Sequence, residues 1–235
     1  MGHFKIPESV AIFLGAIIGV LTLRGLYTRF FAGRPTTLVS VRTVPLITAD
    51  SSWGQGDVLS HMEQAASLWH SLANIQVTWA NPKIISGCYQ AGCPLMGDIG
   101  SVRSSMGDPK WFKSVEDVAF TETQNPHNVK NTHVTIFTGL SGGLWEYGYS
   151  LSKKDSNYQR QGVSVIFWDA AQLTTGFIVA HEWGHTFGLH YSHATSNLML
   201  SGAGLIPFLG LYDYFIQETL EDWQRNDANQ GAKQY

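Results

Sequence analysis

The sequence is short of charge. Asp, Glu, Lys and Arg make up 14% of its 235 residues, well below the roughly 25% of an ordinary soluble domain. The net charge of −3 gives no clustered basic surface for neutralising phosphates, so nucleic acid is excluded as a partner. No internal repeat or low-complexity tract occurs, and a hydrophobic share of 44% excludes a disordered chain. A long membrane-spanning run is lacking too. The longest uncharged apolar stretch is VAIFLGAIIGVLTL, Val10 to Leu23. As a helix it covers only about 21 Å against a hydrocarbon core of about 30 Å.

That stretch nevertheless has Lys5 before it and Arg24 and Arg29 after it. It reads as an uncleaved N-terminal hydrophobic helix, lengthened through Leu26 to Phe31 if Arg24 snorkels. A cleaved signal peptide is the alternative, and a buried core helix the third reading. Arg24, Arg29 and Arg34 on the far side, read literally, put the main domain in the cytoplasm. The only two cysteines, Cys88 and Cys93 in SGCYQAGCPLMG, point the other way if they close a small disulfide loop in an oxidising compartment. They can equally be free thiols, and two cysteines make a weak zinc site. The expectation is a membrane-anchored protein with its main domain outside the cytoplasm, or a secreted one if the segment is cleaved. Residues 1–35 form the anchor or signal segment and linker, and residues 36–235 form a single domain.

Within that domain the patterning alternates between strands and helices. Thr37 to Ile47 reads as a strand, and Asp57 to Leu72 as an amphipathic helix with Val58, Met62, Ala65, Ala66 and Trp69 on one face. Ile75 to Trp79 is a second strand, 81–131 an irregular insertion, and His133 to Phe137 a third strand. Leu144 to Leu151 and Val163 to Trp168 are a fourth and fifth. A helix starts near Thr175, behind a cap from Thr174-Thr175. A loop region runs to about Pro207, and a last helix covers Leu211 to Asn226. The class is α/β: five strands with helices.

What the chain has in excess is histidine in one place. Four of its nine histidines fall between positions 181 and 193, in AHEWGHTFGLHYSH. His181 and His185, four apart on a helix, share one face. Two neutral imidazoles so placed can hold zinc at about 2.0–2.1 Å. Glu182 can then take a proton from the attacking water and pass it to the leaving amine. This is the H-E-x-x-H pattern of zinc hydrolases. Gly188 is suited to end the helix in a left-handed conformation and turn the chain back toward the metal.

These residues resemble the metzincin zinc metalloproteases, matrixin-like branch, whose signature is H-E-x-x-H-x-x-G-x-x-H followed by a methionine turn. His181, Glu182, His185 and Gly188 match, and Asn197-Leu198-Met199 looks like the turn. The resemblance covers roughly Thr37 to Asn226 and leaves 81–131 without a counterpart. It implies a mixed five-stranded twisted zincin sheet with an active-site helix and a C-terminal helix. It also implies Zn2+ as cofactor, peptide or protein as substrate, and Leu144 to Leu151 as the antiparallel edge along which the peptide lies. The third histidine of the signature is displaced, because that position is Tyr191. His193 points to the same side of an extended segment as Tyr191 and is expected as the third ligand, with His190 and then Tyr191 as alternatives.

Three rival readings stand beside this one. The first is a catalytically silent module that keeps the fold to present its groove. The second is a gluzincin-type hydrolase completing the zinc site with Glu218. The third is a hydrolase of a non-protein amide. Glu218 and Glu221 are otherwise expected on the solvated face of the last helix, and His61 and His70 on the surface or half-buried. His127 and His133 are too isolated to assign. No Ser-His-Asp arrangement or phosphate loop is recognisable.

Overall fold

The computed structural model describes residues 34–49, 51–85, 133–139, 148–154, 160–167, 175–192, 197–200 and 219–235. Several expectations lie outside them: the apolar stretch Val10 to Leu23, Cys88 and Cys93, the Thr174 cap, His127, His193 and Glu218. Among the described residues no helix is long and apolar enough to cross a membrane.

Six strands form one mixed sheet. They are β1 (Val39–Thr48), β2 (Ile75–Trp79), β3 (Lys83–Ile85), β4 (His133–Phe137), β5 (Gly148–Lys154) and β6 (Arg160–Ile166). The order is β2-β1-β4-β6-β5, with β3 also on β1. Every pairing is parallel except β5 with β6. The helices among the described residues are α1 (Gln55–Ala73), α2 (Thr175–Thr186) and α3 (Asp222–Ala232).

The sixth strand is β3, inside the stretch expected to be irregular. β1 pairs with β2 as far as Thr43↔Trp79 and resumes with β3 at Leu46↔Lys83. Pro82 separates the two partner strands, and Pro45 falls where β1 changes partner. Neither proline has an N–H to give a ladder, so one long pairing becomes two short ones. The described part of the antiparallel edge is Gly148–Lys154; residues 144–147 of the expected strand lie outside those described. Of the last helix expected over Leu211 to Asn226, residues 211–218 lie outside those described. The described helix runs over Asp222–Ala232, so Glu221 precedes it instead of lying on its face. Gln224 Oε1 accepts from the Glu221 backbone N–H at 3.0 Å, which settles one of the orphan donors at that helix start.

The apolar faces meet as the periodicity demands. Val58, Met62, Ala65, Trp69 and Leu72 of α1 are buried together with Val179, Ala180 and Trp183 of α2 and Val39, Val41 and Ile75 of the sheet. Trp69 joins the two helices. Its Nε1–H donates to Ala180 O at 2.9 Å, and its ring meets Phe187 edge-on at 5.1 Å. β4 is buried along its whole length, as a central parallel strand must be. Arg34, at the start of the described chain, donates to His70 O at 2.6 Å and Asn74 Oδ1 at 3.0 Å. It thereby ties the chain to the C-terminus of α1, where His70 O also accepts from Asn74 N–H at 3.2 Å; Asn74 lies in the left-handed region at φ 54°.

Beneath α2 lies a closed chain of polar groups. Trp183 Nε1–H donates to Thr135 Oγ1 (3.0 Å). Thr135 and Thr43 hydroxyls lie 3.0 Å apart, and Thr43 Oγ1 is 2.9 Å from His133 Nδ1. His133 Nε2 is 2.8 Å from Thr186 Oγ1, whose hydroxyl donates to Trp183 O at 2.7 Å. That last bond fixes the direction of the others. Thr186 has spent its one proton, so His133 donates to it from Nε2 and accepts from Thr43 at Nδ1. Thr43 in turn accepts from Thr135. Each donor serves one acceptor around the ring. Complete burial holds His133 neutral, with its pKa lowered to about 3. His133, unassigned by the sequence, is thus a structural tie between β1, β4 and α2.

Candidate metal and catalytic centre

The helix α2 carries His181, Glu182 and His185 on its exit side and then stops at a defined place. Gly188 N–H donates to His185 O (3.0 Å) and Leu189 N–H to Gly184 O (2.9 Å). This is a Schellman closure about Gly188. It requires a positive φ at that residue, observed as 96°, where a side chain would be strained. The turn brings the Leu189 carbonyl back beside the helix, 2.8 Å from His185 Nδ1.

The other histidine is held by the 197–200 turn. His181 Nδ1 lies 2.7 Å from Leu198 O. The turn is pinned on every side. Asn197 Oδ1 accepts from Met199 N–H (2.8 Å), and Asn197 Nδ2 donates to Gln224 Oε1 (2.6 Å). Leu198 N–H donates to Thr219 O at 2.8 Å, and Ser192 N–H to Met199 O at 2.7 Å. Met199 is fully buried and seats against the helix at Gly184, where an added Cβ would run into Met199 Sδ and the Trp69 ring. The glycine lets the turn approach closely enough for Leu198 to reach His181.

These contacts decide what the imidazoles can do. A carbonyl only accepts, so both Nδ1 atoms carry the hydrogen and both Nε2 atoms present lone pairs. The two Nε2 atoms face each other at 3.2 Å. Burial, the neighbouring His185 and, in the opposite sense, the Leu198 bond set the His181 pKa at about 4. The His185 pKa is also lowered, chiefly by burial. Two neutral acceptors face to face have no proton to share; they fit a cation. Two zinc ligands at 2.0–2.1 Å with a tetrahedral opening stand about 3.3 Å apart, close to the observed separation. Bonds from Nδ1–H to backbone carbonyls are also the usual outer support of zinc-binding histidines.

Glu182 lies on the neighbouring side of α2 against the edge strand. Ser150 Oγ is 2.7 Å from Glu182 Oε2 and 2.8 Å from its backbone O. At Gly148 a Cβ would stand 2.6 Å from Glu182 Cγ and 2.7 Å from Oε1. Only a glycine leaves room for the carboxyl group there. Burial raises the Glu182 pKa to about 7, against a lowering by the Ser150 hydrogen bond. Burial, and then the charge of Glu182, raise the pKa of Tyr149 on the same strand.

Of the expected third ligands, His193 lies outside the described residues. His190 is exposed. Tyr191, 61% exposed, packs its ring at 4.6 Å from His185 and 5.7 Å from His181. Among the described residues no three His, Cys, Asp or Glu side chains form a metal-holding group. The carbonyls of Leu189 and Leu198, and the pair Gly148 and Ser150, escaped the sequence reading. The first two are backbone atoms and leave no residue-type signal. The second pair is visible only as Gly-x-Ser on one face of a strand.

With this geometry in hand, comparison with solved structures identifies the architecture. Metalloproteinase-II from Bacteroides fragilis superposes with a TM-score of 0.52 at 12% identity, over 85% of this chain and 56% of that one. The fold is shared with a metalloproteinase. This chain spans just over half the length of that protein. A zinc-dependent peptidase from Methanocorpusculum labreanum (strain Z) aligns over 79% of this chain and 100% of its own, with 13% identity and a TM-score of 0.41. No protein-family model matches the chain, and no curated protein does.

Proposed function

We propose that this protein is a zinc-dependent endopeptidase in which His181 and His185 hold the metal and Glu182 is the general base and then the general acid. The observation that carries the proposal is the pair of Nε2 lone pairs facing each other at 3.2 Å, with both Nδ1 hydrogens committed to backbone carbonyls. When bound, zinc lowers the pKa of a coordinated water toward ~7 and polarises a carbonyl. Glu182 takes the proton of the attacking water and returns it to the leaving amine; a pKa of about 7 suits a group that must do both near neutrality. Among the described residues β5 pairs with the rest of the sheet through β6 alone. Its other edge can take an extended peptide by backbone hydrogen bonds beside Glu182.

The third ligand in this reading is His193, in the segment that follows the Gly188 turn, with His190 and Tyr191 as the alternatives. The same reading anchors the domain through residues 10–23 outside the cytoplasm, or releases it if that segment is cleaved. Its substrate is a peptide or protein.

The test is metal analysis and peptide-library cleavage on the purified full chain. The expected result is near-stoichiometric zinc and cleavage in the wild type. Glu182→Gln should retain zinc and lose at least about 100-fold in kcat. Substituting His190, Tyr191 and His193 one at a time by Ala should abolish zinc binding only for His193. Failure to take up zinc when it is supplied sinks the proposal. Zinc uptake without cleavage of any peptide points to a silent module, and loss of zinc in Glu218→Ala to the gluzincin arrangement.

A further inference from the structure

We propose that Ser150 is a positioning residue that holds one oxygen of the Glu182 carboxyl group and so aims the other. The proposal rests on the peptidase reading of this site and adds to it a residue outside the H-E-x-x-H motif.

Glu182 is the most deeply buried carboxyl group described, 6% exposed, and a side chain with three rotatable bonds needs contacts to keep it in one arrangement. The edge strand supplies them from two residues on one face, because side chains two apart on a strand point the same way. Ser150 Oγ holds Oε2 at 2.7 Å. Gly148 leaves a gap that is filled by Glu182 Cγ and Oε1. The oxygens are therefore unequal: Oε2 is tied to the strand and Oε1 lies over the Gly148 backbone. Ser150 is itself fixed. It is paired in register with Ser164 of β6, whose hydroxyl lies 3.3 Å from its own, and it also reaches the Glu182 backbone carbonyl at 2.8 Å. The serine has one hydroxyl proton, so it divides that proton between the carboxyl oxygen and the backbone carbonyl of the glutamate and lies between the two.

The strand that orients the base is also the strand that the peptidase reading gives to the substrate, and among the described residues it pairs with β6 alone. In this arrangement the base and the bound substrate backbone share one rigid reference, and misplacement of a reacting group by about 1 Å can cost on the order of 100-fold in rate.

The experiment compares Ser150→Ala, Ser150→Thr and Gly148→Ala with the wild type in the full chain. Removing the hydroxyl should lower kcat by about 10–100-fold, as losses of outer hydrogen-bonding partners do. KM should stay within about twofold, with zinc content and melting temperature unchanged. Ser150→Thr, which keeps the hydroxyl, should recover most of kcat. Gly148→Ala, which displaces the carboxyl group instead of freeing it, should also lower kcat at constant zinc content. A second readout does not need turnover. In metal-free protein, the infrared carboxyl band of Glu182, isolated by subtracting the Glu182→Gln spectrum, should move in Ser150→Ala and stay in place in Ser150→Thr.

A wild-type kcat in Ser150→Ala, or an unmoved band, overturns the assignment. So does a loss of kcat that comes with lost zinc or lowered melting temperature in place of a band shift. If the wild type cleaves no peptide while the band moves as described, the peptidase reading fails and the positioning of Glu182 by Ser150 stands.

Discussion

Replacing His133 by Asn should change how stability depends on pH more informatively than it changes stability itself. In the native protein His133 is fully buried, neutral and locked as the Nε2–H tautomer between Thr43 and Thr186, with a pKa of about 3. In the unfolded chain its pKa returns to about 6.5. Between these values the unfolded state binds the proton and the folded state does not. Stability is then present above pH 6.5 and lost as the pH falls. For the two pKa values this loss is about 2 kcal/mol at pH 5 and about 3 kcal/mol at pH 4.

The assay is urea denaturation followed by tryptophan fluorescence, on EDTA-treated wild type and His133→Asn, at pH 7, 6 and 5. The variant should be less stable at pH 7, since it leaves part of a buried polar chain unpaired. It should also lose less on acidification. The stability gap between the two proteins should therefore shrink by about 2 kcal/mol from pH 7 to pH 5. His181 and Glu182 also titrate in this range, but they are present in both proteins and cancel in the difference. Parallel pH profiles would refute the argument, because they would mean that His133 is accessible to a proton in the native state.

Two further outcomes follow from the same contacts. Gly184→Ala should destabilise the protein by about 1–3 kcal/mol through overpacking against Met199 and Trp69. It should also weaken zinc binding by pushing away the turn whose Leu198 carbonyl orients His181; unchanged melting and zinc affinity in a calorimeter would count against the close packing. Zinc should raise the melting temperature, with a gain of about 2.7 kcal/mol at a free concentration of 100 Kd, and EDTA should reverse it. The gain should be absent in His181→Ala and His185→Ala if these two are ligands.

Much of the site is local and was therefore open to reading. His181, Glu182 and His185 sit on one turn of helix, and helical spacing alone puts the two imidazoles side by side. Gly188 ends that helix for a reason contained in its lack of a Cβ. Helix α1 follows from the spacing of Val58, Met62, Ala65 and Trp69. Parallel pairing of β1 with β2 follows from a helix lying between two strands. Boundaries that depend on partners were less legible. The interrupted pairing of β1 with β2 and β3 depends on Pro45 in the one strand and Pro82 between the other two. The start of the last helix at Asp222 depends on Gln224 being held by Asn197, which is 27 residues away.

By itself, then, the sequence determined the periodic elements and the residue types that can bind a metal and move a proton, because these rest on spacings of a few residues. Tertiary structure decided the protonation state of those residues and the direction in which they point. The Leu189 and Leu198 carbonyls set the histidine tautomers, the ring through Trp183, Thr135, Thr43 and Thr186 holds His133 neutral, and Ser150 and Gly148 orient Glu182. Each of these depends on a backbone atom or a side chain supplied from another part of the fold, and a hydrogen bond across the fold leaves no periodicity in the chain.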